Sequence, residues 1–243
     1  MIPLHDDNPT SIRPWVTGGL IAACVIVFLW QIGHSAKELD QIFRTLGFIP
    51  AAWFAGPGEV GAVARQLPLV TSMFLHGGLL HLAGNMLYLW IFGNNVEEAM
   101  GHGRFLIFYL VCGIAAALAQ AYQAPGSSVP MVGASGAIGG VLGAYFLLHP
   151  LARVLVVVPL GLFFWTARIP AYFVLGVWFV FQLVMGGGAV ADENAGGAAY
   201  WAHVGGFLAG MALLPILRRR GVRIWDTRRR PLPKPPRRRG PWG

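Results

Sequence analysis

The sequence predicts an all-α membrane protein whose core is a bundle of six transmembrane helices. Of its 243 residues, 56% are hydrophobic and only 12% are charged, whereas soluble domains carry about 25% charged residues. Because so few polar groups cannot cover a water-soluble globule, lipid is the expected surrounding. Six apolar stretches are each long enough to cross a bilayer as a helix, and they lie at 15–32, 79–96, 105–121, 132–148, 169–185 and 198–217.

These stretches divide the chain into three parts. Residues 1–14 form a polar segment, 15–217 the membrane domain, and 218–243 a basic tail rich in Pro and Arg. The first apolar stretch has no clear cleavage site, so a signal peptide is not expected. A shorter apolar run at 154–165 is interrupted by Pro159 and is predicted to be an interfacial or re-entrant piece. The long 34–78 loop is expected to form a partly buried cap.

Basic residues predict the orientation of the bundle. Eleven of the 18 Lys and Arg residues lie at or after Arg218, and cytoplasmic ends of spans are enriched in these residues. We therefore expect both termini in the cytoplasm, with a bacterial inner membrane as the location, although Lys37, Arg44 and Arg65 in the outer loop oppose this assignment mildly. Since the basic run directly follows an apolar helix, it indicates contact with the lipid bilayer rather than nucleic-acid binding.

Four polar residues within the spans are candidates for chemistry, because polar groups in lipid are costly and usually functional. They are His81 and Asn85 in the second span, Ser135 in the fourth and His203 in the sixth. These three spans run in the same direction, and each residue lies near the start of its span. At 1.5 Å per residue all four fall within roughly 10 Å of the outer helix ends. They are therefore predicted to share one layer of the membrane.

Small residues spaced four apart predict that the fourth and sixth spans touch. Gly136 and Gly140 show this spacing, as do Gly206 and Gly210, and such patterns let helix backbones approach closely. Ser135 and His203 would then come within hydrogen-bonding reach, so that imidazole could activate the hydroxyl as a nucleophile. No Asp or Glu lies within a span, which favours a Ser–His dyad over a triad.

An oxyanion site is predicted from the same layer. His81 and Asn85 lie four residues apart and hence on one face of a helix. Their side-chain N–H groups, together with the backbone N–H of Ser135, could bind the negative oxygen of a tetrahedral intermediate.

Three motifs carry a family resemblance. Gly133-Ala134-Ser135-Gly136 resembles the GxSG motif of the rhomboid intramembrane serine proteases, the segment from His81 to Asn85 resembles their HxxxN motif, and the segment from Ala202 through Gly206 to Gly210 resembles their AHxxGxxxG motif. Order and spacing agree over about residues 15–217. One departure is Gly139, which stands where some members carry a Tyr that stacks on the base.

The resemblance implies a six-helix rhomboid-like bundle with an active site open to the extracytoplasmic side. Ser135 would be the nucleophile, His203 the general base, and His81, Asn85 and Ser135 the oxyanion site. Gly133, Gly136, Gly206 and Gly210 would shape the motifs and the helix contact. The fifth span would be a lateral gate, with Trp178 and Phe179 as bulky gate residues. Substrates would be single-span membrane proteins, and no metal or cofactor is expected; the oligomeric state is left open.

Two other functions compete with this prediction. The first is a catalytically inactive rhomboid-like scaffold that binds membrane helices, although such a protein need not keep all four polar residues. The second is a small-solute transporter, which is disfavoured because the polar layer lies near one surface and no internal repeat is present. Outside this layer, Glu97 and Glu98 are interpreted as a solvated helix end that could cap a helix or pair with Arg104, and His76 as a loop-packing residue.

Overall fold

The computed structural model describes residues 1–55, 65–160, 163–189 and 199–225. These residues are mostly helical. The helices are α1 (Trp15–Gln31), α2 (Ala36–Leu46), α3 (Pro50–Phe54), α4 (Pro68–Thr71), α5 (Leu79–Met100), α6 (His102–Gln123), α7 (Ser135–Leu148), α8 (Ala171–Ala189) and α9 (Tyr200–Leu217), and the strands are β1 (Ile2–Asp6), β2 (Arg153–Leu160) and β3 (Phe163–Pro170).

A long helix lies at each of the six predicted spans, namely α1 and α5 to α9. Among the described residues, α6 and α9 combine the length and the mean hydropathy of a spanning helix. The apolar stretches of α1, α7 and α8 are shorter. The prediction that all six cross the membrane is therefore not settled by helix length and hydropathy.

The central helix is α7, in which every residue except Ser135, Phe146 and Leu147 is buried. A helix that is apolar on all sides is expected to lie inside a bundle. Its closest neighbour is α9. A Cβ atom added to Gly206 would collide with the carbonyl group of Gly136, and one added to Gly210 would collide with Gly140. Only glycine permits this approach, which fixes the first residues of both helices side by side.

The apolar run at 154–165 forms a β-hairpin rather than a re-entrant segment. Strands β2 and β3 pair antiparallel, and β1 from the N-terminal segment pairs antiparallel with β2. Val-rich β2 suits an extended chain because β-branched side chains favour strands, and its buried Val154 and Val156 face the core. The all-α prediction missed this sheet, which joins the N-terminal segment to the bundle.

The 34–78 loop packs on the bundle through its own small core, as far as it is described. It contains α2, α3 and α4, while 56–64 fall outside the described residues. A capping box formed by Ser35 and Glu38 starts α2. Phe48 is buried against Leu69, Ala117 and Ala121, the last two from α6. The loop thereby covers one side of the bundle near the start of α7.

The interpretation of Glu98 and Glu97 as a solvated helix end is wrong. Glu98 is buried, and so is Glu97. The Glu97 carboxylate is fully buried at the end of α5 and accepts hydrogen bonds from the backbone N–H groups of Val16 and Thr17 at 2.9 and 2.8 Å. The Thr17 hydroxyl and the His102 ring bind the same carboxylate at 2.6 and 2.5 Å. Glu97 therefore satisfies the exposed N–H groups at the start of α1, where a negative charge is also favoured by the helix dipole.

Candidate active site

The structure brings Ser135 and His203 together. Ser135 is the first residue of α7, and His203 lies in the first turn of α9. The distance between Ser135 Oγ and His203 Nε2 is 2.8 Å, which is a normal hydrogen-bond length. Both residues are only partly buried. A hydroxyl at this distance can pass its proton to a neutral imidazole.

Gly133 sets the geometry just before Ser135. Its backbone φ angle of +124° is one that residues with a side chain rarely adopt. Its N–H donates to the Ser72 carbonyl at 2.9 Å. A Cβ at this position would lie 2.7 Å from Cε1 and Nε2 of His81 and 3.6 Å from Nδ2 of Asn85. Glycine therefore lets both side chains of α5 approach the segment that leads into the nucleophile.

Asn85 offers a donor without a partner. The residue is buried, and among the described residues its Nδ2 atom has no hydrogen-bond acceptor. A buried polar group without a partner usually lowers the stability of the fold by about 1–3 kcal/mol. Such a group is therefore uncommon in a folded protein unless it has a further role. The first N–H groups of any helix, including that of Ser135, also lack acceptors within the helix. These N–H donors lie on both sides of Gly133. They could donate hydrogen bonds to a substrate oxygen that becomes negatively charged during a reaction.

The second nitrogen of His203 also has a partner, which sequence reasoning missed. The Oε1 atom of buried Gln182, on α8, lies 2.8 Å from His203 Nδ1. Gln182 is the only amide side chain in the predicted 169–185 span. A polar residue within a span is a functional signal by default, so the same rule that selected Asn85 could have selected Gln182.

The structure explains why Gly139 stands where some rhomboid proteases carry a Tyr that stacks on the base. A Cβ there would lie 2.9 Å from the His203 carbonyl oxygen, so α7 approaches α9 too closely for a side chain at this position. The ring that contacts the His203 imidazole is instead Trp178 of α8, with centroids 5.7 Å apart. Phe179, the second predicted gate residue, packs against Phe207 at 4.6 Å.

His76 lies behind His81 as part of a fixed loop. Its backbone N–H and C=O both pair with the side chain of buried Gln31 at 3.0 Å, and its ring centroid lies 5.2 Å from that of His81. Burial lowers the pKa of His76 to about 4, so its ring is neutral at pH 7. These contacts agree with the interpretation of His76 as a loop-packing residue.

The site contains neutral residues. The two hydrogen-bond partners of the His203 ring, Ser135 and Gln182, are both uncharged side chains. Across the described parts of the chain, no three His, Cys, Asp or Glu side chains group as metal ligands would. The arrangement can therefore transfer a proton between Ser135 and His203 and stabilise negative charge nearby through N–H donors.

Comparison with known proteins identifies the family. Residues 64–220 match the Rhomboid domain. The chain is 35% identical to "Rhomboid protease GluP" of Bacillus subtilis, over 54% of this chain and 24% of that protein. It is 31% identical to "Rhomboid protein 1, mitochondrial" of Saccharomyces cerevisiae, over 61% and 41%, and 30% identical to human "Presenilin-associated rhomboid-like protein, mitochondrial", over 61% and 36%.

The matches span 24% to 41% of the length of these relatives, so they show similarity to the shared domain and not to the relatives' other regions. The family match covers more than half of the chain and includes the segments that hold His81, Ser135 and His203. This protein belongs to the rhomboid family of membrane proteins.

Proposed function

We propose that the protein is an intramembrane serine endopeptidase that cuts single-span membrane proteins with a Ser135–His203 dyad. The observation that carries the proposal is the 2.8 Å contact between Ser135 Oγ and His203 Nε2, formed by residues 68 positions apart. It is supported by the unpartnered donor of Asn85 beside the same segment.

The first step is attack on the scissile carbonyl carbon. As the Ser135 Oγ–C bond forms, the hydroxyl proton moves to His203 Nε2, and the carbonyl π electrons become an oxyanion. Asn85, His81 and the Ser135 backbone N–H donate hydrogen bonds to that oxygen. Donors fixed in advance stabilise the developing charge without reorganisation, and loss of one typically lowers turnover about 10²–10³-fold.

The second step breaks the peptide bond. The imidazolium of His203 gives its proton to the leaving amine, and the oxyanion collapses to an acyl-enzyme on Ser135. Water then attacks the ester, with His203 accepting one proton from water and returning it to Ser135 Oγ. Ser135 and His203 are partly accessible and His81 is exposed, which supports entry of both water and an unwound substrate segment.

In this proposal, α1 and α5 to α9 all cross the membrane. The dyad and the oxyanion donors lie at the N-terminal ends of α5, α7 and α9, which point the same way. Arg153, Arg218 and Arg219 lie at the opposite end of the bundle, where the Arg219 guanidinium donates to the backbone carbonyl of Glu98. The basic residues there support a cytoplasmic location for that end and an extracytoplasmic site. The compartment stays a prediction, because the relatives include bacterial and mitochondrial proteins.

Substrate entry is proposed to occur beside α8. This helix exposes Tyr172, Phe173, Val177 and Val180 on its outer surface, and its inner face contacts His203. The β-hairpin exposes Phe163, Phe164 and Trp165, and Trp is a residue type enriched at the membrane–water interface. The sequence predicts that the basic tail, which begins at residue 218, binds lipid. Residues 226–243 of this tail fall outside the described residues.

A comparison of wild type with Ser135→Ala tests the proposal. Purified protein in detergent is given a fluorescent single-span substrate, and wild type is expected to cut it at least about 10³-fold faster than the variant. Ser128→Ala, in an exposed loop, serves as the matched control and is expected to keep wild-type activity. Fluorophosphonate labelling of Ser135 should be lost in His203→Ala.

If wild type and Ser135→Ala behave alike, the protease proposal fails. The same result, together with retained binding of a membrane helix, would favour the inactive scaffold. Two of the relatives above carry names that mention no protease, which is why this alternative is kept as an outcome of the experiment.

A further inference from the structure

The imidazole of His203 is held from both sides. Ser135 Oγ lies 2.8 Å from Nε2, and Gln182 Oε1 lies 2.8 Å from Nδ1. A neutral imidazole carries one N–H, so one ring nitrogen donates and the other accepts. An amide oxygen can only accept. The contact with Gln182 therefore places the proton on Nδ1 and leaves the Nε2 lone pair facing the Ser135 hydroxyl.

This tautomer is the one that a general base needs. With the proton on Nε2, the ring could not take the hydroxyl proton of Ser135, and a wrong tautomer in a Ser–His–Asp triad lowers turnover about 10⁴-fold. Among the described residues, no carboxylate takes the orienting role, since both ring nitrogens of His203 bond uncharged side chains, Nδ1 to Gln182 and Nε2 to Ser135. A neutral amide oxygen can orient the ring without the cost of a buried charge within the membrane.

Helix α8 presents two groups to the ring. Trp178 and Gln182 lie four residues apart and hence on one helical face. Trp178 contacts the imidazole at 5.7 Å between centroids, and Gln182 bonds its Nδ1. One limits the tilt of the ring, and the other selects its protonated nitrogen. Gln182 is buried, so water cannot readily replace it as the partner.

We propose that Gln182 is the positioning residue for the general base, which fixes His203 in its Nδ1–H tautomer in place of the acid of a triad. The expected effect of Gln182 on turnover rests on the proposed function. Its expected effect on the tautomer of His203 does not. Gln182 touches neither Ser135 nor the reacting atoms in this scheme, and it acts through His203.

The decisive variants are Gln182→Leu and Gln182→Glu. Gln182→Leu keeps the size of the side chain but removes the acceptor, and it is expected to lower kcat about 10–100-fold with KM changed less than about threefold. Gln182→Glu restores an acceptor and is expected to recover most of the rate. Because a carboxylate stabilises the imidazolium, it should also move the acidic limb of the pH–rate profile to higher pH.

Gln120→Leu is the matched control. The Oε1 atom of Gln120 accepts the N–H groups of Trp201 and Ala202 at 3.1 and 3.3 Å, so it too bonds α9 but not His203. Its loss is expected to lower thermal stability while leaving the acidic limb of the profile in place. If Gln120→Leu lowered kcat as much as Gln182→Leu does, or shifted that limb as much as Gln182→Glu does, the effect would be structural, and the proposal would fall.

Nitrogen NMR on ¹⁵N-histidine-labelled protein gives a readout that does not depend on activity. At neutral pH, wild-type His203 is expected to show a protonated Nδ1 and an unprotonated Nε2. Protonation of Nε2 in wild type would overturn the proposal, as would a Gln182→Leu protein with wild-type kcat and an unchanged tautomer. If wild type proved inactive but carried the Nδ1–H tautomer, the protease proposal alone would fail.

Discussion

The two ends of the helix bundle bury polar groups in different ways. At one end, the carboxylate of Glu97 is surrounded by four donors from Val16, Thr17 and His102, and Asp6 accepts the hydroxyl of Tyr145 at 2.5 Å. At the other end, the buried polar residues that the structure describes, such as Asn85 and Gln182, carry no charge, and Asn85 keeps a donor free beside Ser135. At the first end, the carboxylates are already hydrogen-bonded to protein donors. At the second end, a free donor can bind a negative charge that forms during a reaction.

This difference separates structural polar groups from groups available for chemistry. An unpaired atom does not mark a site by itself, because Asn8 and Asn95 near Glu97 also have unpaired atoms. What distinguishes Asn85 is its place beside a nucleophile and a base. Removing a group at the Ser135 end should therefore lower the rate, whereas removing one at the Glu97 end should lower stability.

The largest effect is expected from Gly133→Ala. A Cβ there would lie 2.7 Å from the His81 ring and would have to be accommodated at a φ of +124°, so the ring and the segment before Ser135 must move apart. We expect kcat to fall about 10²–10³-fold, as for loss of an oxyanion donor. The measurement is turnover of the single-span substrate.

Gly126→Ala is the control for this variant, since a Cβ at that position meets no atom within 4 Å. It should retain wild-type turnover. Full activity of Gly133→Ala would show that His81 and the Gly133 segment need not be in contact, and the assignment of His81 to the oxyanion site would be abandoned.

The next effect is expected from Glu97→Gln. The amide provides one acceptor oxygen and places an NH₂ group among the donors of α1, so the free energy of unfolding should fall by about 2–4 kcal/mol. The correctly folded fraction should keep its turnover. Unfolding in SDS, followed by circular dichroism, measures the first quantity, and activity per folded molecule measures the second.

Asp40→Asn, which removes an exposed ion pair with Arg44, is the matched control and should change neither quantity measurably. A Glu97→Gln protein that folds with wild-type stability but loses turnover would reverse the assignment of the two ends.

Patterns within single segments of the sequence predicted most of the long helices and the dyad. Contacts between segments that are distant in the sequence were not predicted. Apolar stretches placed the long helices, and polar residues near the starts of three spans located Ser135 and His203, because both signals depend on local spacing. The pairing of β1 with β2 was missed because the partners lie about 150 positions apart. The β2–β3 hairpin is local, but its apolar run suits an interfacial membrane piece as well as a strand. Glu97 was misjudged for the same reason, since a charge at a helix end appears solvated until its partners in α1 are known.

The smallest effect concerns Asp6 and pH. Burial raises the pKa of this carboxyl from 3.8 to about 6, so between these values the folded protein holds the proton more firmly than the unfolded chain does. A raised carboxyl pKa therefore makes its contribution to stability fall as pH rises through this window. Relative to Asp6→Asn, wild type is expected to lose roughly 1–3 kcal/mol between pH 4 and 7.

The comparison with Asp6→Asn is needed because His76 acts in the opposite direction. Burial lowers its pKa to about 4, so the unfolded chain binds its proton more firmly, and this contribution to stability rises with pH over nearly the same window. Both proteins share the His76 contribution, and their difference isolates Asp6. A difference in unfolding free energy that stays constant from pH 4 to 7 would mean that Asp6 titrates alike in the folded and unfolded chains, and that the Tyr145 hydrogen bond offsets its burial.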